Sequence, residues 1–177
     1  MMNVCEERAA ILVIAVTATA LACGPAPLDD LELLAHIEEF ENAVAGQPRD
    51  VVQEMLRDQA SDYMGRLVNV RSAVVTSTYS RNNPSKIYFG VNYDEEDHVF
   101  LSEINPQLDA SLKNHRHWVS IAVTYPSRQL SYELPIDQAT FERLAPGNEV
   151  SFSCRIAALI RGKSVYCVPE VLSVVEK

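Results

Sequence analysis

The spacing of apolar residues changes character near residue 66. Before it, Leu33, Leu34, Ile37, Phe40 and Val44 recur at helical spacing, and Val51, Val52, Met55, Leu56, Ala60 and Tyr63 form a second such stripe. Asp29 or Asp30 can cap the first helix, Gly46-Gln-Pro48 ends it, and Gly65 ends the second. Both stripes suit a buried helix face; a surface for a partner helix is the other reading. After it the pattern alternates. Val68, Val70, Ser72 and Val74 alternate with Asn69, Arg71 and Ala73 in a long strand running to about Thr78. Lys86–Tyr93 reads as a second strand with Ile87, Phe89 and Val91 on one side, and His98–Ser102 as a short one. Residues 103–114 show no clear period and read as a loop with room for one helical turn. Alternation resumes over His117–Tyr125, and Leu130–Leu134 adds a short strand.

A helix over Asp137–Leu144, stopped by Pro146-Gly147-Asn148, leads into Glu149–Ile156, where Val150, Phe152, Cys154 and Ile156 share one face. Arg161-Gly162-Lys163 turns the chain into a return strand from Ser164 to Val168. Long strand, strand, strand, helix, strand, strand is the order of an OB-fold, a five-stranded Greek-key barrel. The predicted fold is therefore mainly β with helices: an OB barrel over residues 66–177 preceded by an N-terminal helical segment over residues 29–65.

Residues 1–22 stand outside that fold. The uncharged run Ala9–Ala22 is short for a membrane span, ends in small residues and reads as a secretory signal. Ala20-Leu-Ala-Cys23-Gly24 resembles the bacterial lipobox, which implies cleavage before Cys23 and lipidation of its thiol; an ordinary secretory cleavage near Ala22 is the alternative. Residues 23–28 then form a short proline-containing tether. Of the four cysteines, Cys5 departs with the signal and Cys23 is the lipidation site, leaving Cys154 and Cys167. In an oxidising compartment they are disulfide candidates, with free buried thiols as the other reading. A turn at Gly162 sets them out of direct register, so a bond needs a bulge or an offset pairing.

The run Tyr63–Val74, together with Leu144-Ala-Pro-Gly147-Asn-Glu-Val150-Ser-Phe-Ser-Cys154 and Val165-Tyr-Cys167, resembles the tRNA-anticodon-binding-like OB domains of exported bacterial proteins. The resemblance covers roughly residues 51–175 and implies a helix feeding the first strand and a cysteine in each of the last two. It implies a fold and no RNA-binding activity.

The formal charge of −9 disfavours a protein held to nucleic acid by its overall field. Locally, the outer face of strands two and three is the usual OB ligand surface. The alternation places Lys86 and Tyr88 outward on strand two, Arg116 and Trp118 outward on strand three, and Arg71 and Arg155 outward on strands one and four. Cations interleaved with aromatics are what a single-stranded nucleic-acid platform uses. The competing reading covers Tyr88 and Trp118 with the N-terminal helices. His115 and His117 have a spacing that can grip a metal but no third ligand beside them, and Asp94–Asp97 lacks the spacing of an EF-hand loop. No catalytic motif appears, and only 6 glycines argue against a nucleotide cradle.

The sequence thus predicts a non-enzymatic, cofactor-free binding or interaction module of the bacterial envelope, held to a membrane by its lipid and acting on an envelope protein or ligand. Single-stranded nucleic-acid binding and acidic inhibition of a basic envelope enzyme or toxin are the alternatives.

Overall fold

One strand, Leu67–Ser80 (β2), serves two partners and thereby closes a barrel. The computed structural model describes residues 26–81, 87–90, 98–126, 128–160 and 164–175. The first half of β2 pairs antiparallel with Glu149–Ile160 (β7), from Leu67 opposite Arg155 to Val74 opposite Glu149. Its second half pairs with His117–Thr124 (β5), from Val74 opposite Ala122 to Ser80 opposite His117. β5 continues into Gln129–Ile136 (β6), β6 runs parallel to Ser164–Val174 (β8), and β8 returns along β7. The circuit β2-β5-β6-β8-β7-β2 is the closed five-stranded barrel of an OB-fold, with the helix Gln138–Arg143 between its third and fourth strands.

Two bulges let β2 bend between its partners, one between Val70 and Ala73 and one between Val75 and Ser77. The first reverses the phase of alternation. Ala73 and Val75 are buried where simple alternation points Val74 inward, and Val74 is 46% exposed. The interior is filled by Val68, Val70, Val75, Val119, Ile121, Tyr132, Leu134, Phe152 and Val165, with the Tyr132 and Phe152 rings edge-to-face at 5.2 Å.

The assignment of barrel strands two and three needs correction. They are β5 and β6, and not Lys86–Tyr93 and His117–Tyr125. The described part of the earlier segment, Tyr88–Gly90 (β3), forms a hairpin with His98–Phe100 (β4) that extends the far end of β7 through Gly90 and Ile160. β6 is longer than its sequence reading because Pro135 and Ile136 continue its pairing with β5. Residues 103–114 are helical as well: Leu101–Ile104 (α3) and Pro106–Lys113 (α4). The signal was the Asn105-Pro106 pair, in which Asn105 Oδ1 accepts from Leu108 N at 3.0 Å and proline takes the first helical position. The last helix, Gln138–Arg143 (α5), is capped by Asp137, whose carboxylate accepts from Thr140 N at 2.7 Å and is held below its usual range by that bond.

The N-terminal helices are Asp30–Val44 (α1) and Arg49–Tyr63 (α2). Asp29 begins α1 with a capping box shared with Glu32. Leu28–Asp29 (β1) pairs in parallel with Val68–Asn69, and Gly65 N donates to Ile156 O at 2.8 Å. A second tie joins α1 to the β5–β6 turn: Tyr125 Oη donates to Asp30 at 2.7 Å, and Arg128 bridges Glu38 and Glu41.

Cys154 and Cys167 are bonded across β7 and β8, with Cα atoms 5.5 Å apart. They are not opposite one another. Cys154 faces Pro169 and Cys167 faces Ile156, and flanking register shifts make the diagonal pairing possible.

Two stability measurements follow from these ties. Reducing the bond, or replacing both cysteines with alanine, is expected to lower unfolding free energy by about 3 kcal/mol, the loop-entropy value for a closed segment of this size; urea titration with and without reductant reads it. Burial and the bond to Asp30 hold the Tyr125 hydroxyl well above its ordinary value. Its stabilising contribution is complete below the unfolded value near pH 10, and is lost as pH rises beyond it, because the unfolded chain releases the proton first. Tyr125→Phe should therefore destabilise by about 1 kcal/mol at pH 7 and flatten the alkaline fall in stability, as measured by urea unfolding at pH 7 and pH 10.5.

Candidate functional site

On the barrel face opposite Val119, Ile121 and Tyr132, alternation places Trp118, Ser120, Glu133 and Tyr166, joined from β2 by Tyr79. This is the outer surface expected to carry ligand, but it is already occupied by its own side chains. Trp118 is outward in register and completely buried. Its Nε1 donates to His115 O at 3.0 Å, Tyr166 meets its ring edge-on at 6.1 Å, and the Arg81 guanidinium lies 5.4 Å from its ring centroid. Arg81 also covers Tyr79 and donates through Nη2 to its hydroxyl at 3.1 Å. That hydroxyl in turn donates to Glu133, which accepts from Ser120 Oγ at 3.0 Å through its other oxygen. Burial and the Glu133 carboxylate push Tyr79 above its ordinary value. The result is a closed network whose indole offers no face for a base.

The other expected ligand contacts do not converge there. Arg116 is exposed just before β5, where its carbonyl accepts from Arg81 N at 2.9 Å. Arg71 is exposed at the first bulge of β2, on the half that pairs with β7, about 26 Å along the strand from Tyr79. Arg155 is engaged by Glu170 at 2.6 Å and by the Gly65 carbonyl at 3.0 Å. Tyr88 lies on the β3–β4 hairpin, stacked on His98 at 3.8 Å. Gly90 leaves room for that stack, since a Cβ there would lie 2.5 Å from His98 Cδ2. Lys86 and the acidic turn Asp94–Asp97 lie outside the described residues, as do Cys23 and the signal segment. A single platform of Arg71, Lys86, Tyr88, Arg116, Trp118 and Arg155 is thus not what the described barrel presents. The cause is the reassignment of strands, with Trp118 roofed by Arg81 and the Tyr88 hairpin packed against α2. His117 bonds Ser80 Oγ at 3.0 Å and packs on Phe141 at 4.5 Å.

Two clefts were not anticipated. One, of about 580 Å³, lies between the end of α2, the α3–α4 junction and β7–β8, lined by Met64, Ile104, Asn105, Leu108, Arg155 and Val168. The other, of about 280 Å³, runs between α1 and α2, lined by His36, Glu39, Phe40, Met55, Asp58, Gln59, Asp62 and Tyr63. Phe40, Met55 and Tyr63 are, with Val51, the stripe residues only half-buried, and His36 meets the Tyr63 ring edge-on at 5.9 Å. Burial raises the Tyr63 hydroxyl; Arg66 opposes this, while Asp62 and Glu39 add to it. The hint in the sequence was the width of the apolar stripes, which exceed what one buried face needs.

Because Trp118 is structural, Trp118→Ala should cost about 3–5 kcal/mol, read by urea unfolding. Arg116→Ala and Arg71→Ala should leave unfolding within about 0.5 kcal/mol of the parent.

Compared with known proteins, the chain matches no family model and no curated protein.

Proposed function

We propose that this chain is an exported, lipid-anchored protein of a bacterial envelope, and that its barrel and helical hairpin work as a binding or interaction module and not as an enzyme. The observation that carries this reading is the Cys154–Cys167 bond on β7–β8. Disulfides of this structural kind form and persist in oxidising compartments, which agrees with removal of Met1–Ala22 and lipidation of Cys23. The strand order is that of an OB-fold, which supports the resemblance of the sequence to tRNA-anticodon-binding-like OB domains as a likeness of fold alone. Burial of Trp118 weighs against single-stranded nucleic acid as the ligand, because stacking needs an open ring. An exposed, acidic helical pair supports a protein partner instead.

The test is the intact mass of the protein purified from membranes of its native host, with and without reductant. The expected species begins at Cys23, carries acyl chains, and is lighter by two hydrogens than its reduced form. A full-length chain that is unprocessed and reduced would remove the export reading.

A further inference from the structure

We propose that the groove between α1 and α2 is the docking site for a basic protein segment that carries an apolar anchor side chain among lysines or arginines. The inference deepens the interaction-module reading and rests on it, but not on export or lipidation.

Charge is the first ground. Residues 29–63 hold ten carboxylates against Arg49 and Arg57, a net charge of −8. The rest of the chain holds fourteen carboxylates against thirteen lysines and arginines. Nearly the whole excess negative charge of the protein therefore sits on this helical pair, and the barrel is close to neutral. Within the groove, Glu39, Asp58 and Asp62 are exposed, and among the described residues none of the three is held in an ion pair. Like charges gathered at i, i+4 on α2 (Asp58 and Asp62) weaken a helix unless a cation comes between them.

Shape and polarity are the second ground. Phe40, Met55 and Tyr63 give the groove apolar walls with room for one anchoring side chain. Gln59 lines it with a side-chain amide and is 8% exposed. An amide that lines the groove can donate to and accept from the main chain of an incoming segment. The carboxylates do not form a metal-binding group among the described residues, so a lone divalent cation is a poorer fit than an extended cationic segment. An apolar centre with a ring of complementary charge is how such contacts combine affinity with fast, salt-sensitive association.

The experiment measures fluorescence anisotropy of a short labelled peptide of alternating lysine and leucine against the full chain, at low and physiological salt. An alternating glutamate and leucine peptide is the control. The basic peptide should bind and weaken with salt, and the acidic one should not bind. Neutralising the groove with Glu39→Gln, Asp58→Asn and Asp62→Asn should reduce affinity about tenfold or more, whereas the charge-matched set Asp50→Asn, Glu54→Gln and Glu103→Gln should change it less than about threefold. Gln59→Leu removes the amide while keeping an apolar filling, and should weaken binding about fivefold without loss of folding. Equal losses from both neutralised sets, or no binding of the basic peptide at low salt, would overturn the proposal.

A photo-reactive residue placed at His36 or at Arg71, used in native membranes, separates this failure from failure of the broader reading. Adducts from Arg71 alone would retain an interaction module and remove the groove. Adducts from neither position would remove both.

Discussion

Barrel closure depends on β2 being able to leave one partner and join another along its own length. Its bulges at Val70/Ala73 and Val75/Ser77 supply the bend. The turn before β7 fits into the same place: Gly147 N donates to Val75 O at 2.8 Å, and Val75 N donates to Asn148 O at 2.9 Å. Gly147, at φ +90°, has the left-handed backbone that this turn requires. Without the bend the barrel would open into a sheet, the inner residues would lose their second layer, and the β7–β8 crosslink would staple a hairpin instead of a core.

The barrel and the helical pair divide the physical work of the molecule. The barrel spends its aromatic and basic side chains on itself, as Arg81 does in covering both Tyr79 and Trp118. The helices bury Leu33, Leu34, Ile37, Val52, Leu56 and Ala60, and leave Phe40, Met55 and Tyr63 incompletely covered. An OB barrel is commonly read through its outer strand face, yet here the unpaired carboxylates and half-covered apolar side chains lie on the elements that precede the barrel.

Much of the fold was legible in the sequence because periodicity reports burial directly. The helical stripes, the long first strand, the helix between barrel strands three and four and the terminal cysteine hairpin all follow from it. Errors arose where one face of an element was not the whole story. The bulge in β2 inverted the burial of Val74 and Ala73, which no two-residue period can anticipate. β6 buries Leu130, Tyr132, Leu134 and also Pro135 and Ile136, so its end has no alternation to read. Trp118 shows the limit for the site. Its outward register was readable, but its cover comes from Arg81 and Tyr166, which are distant in sequence. The groove needed two helices placed side by side before its acidic rim could be seen as one feature.

The order in which strands meet has a consequence for synthesis. β2 pairs with β7, whose residues follow it by about eighty positions, and β6 finds its parallel partner only in β8, the last strand of the described chain. A chain emerging from the ribosome can form the helical pair and the β5–β6 hairpin early, since those contacts are local. It cannot close the barrel until β7 and β8 have both been made. Closure therefore comes late, and until then the edges of β2 and β6 that β7 and β8 will cover stay unpaired.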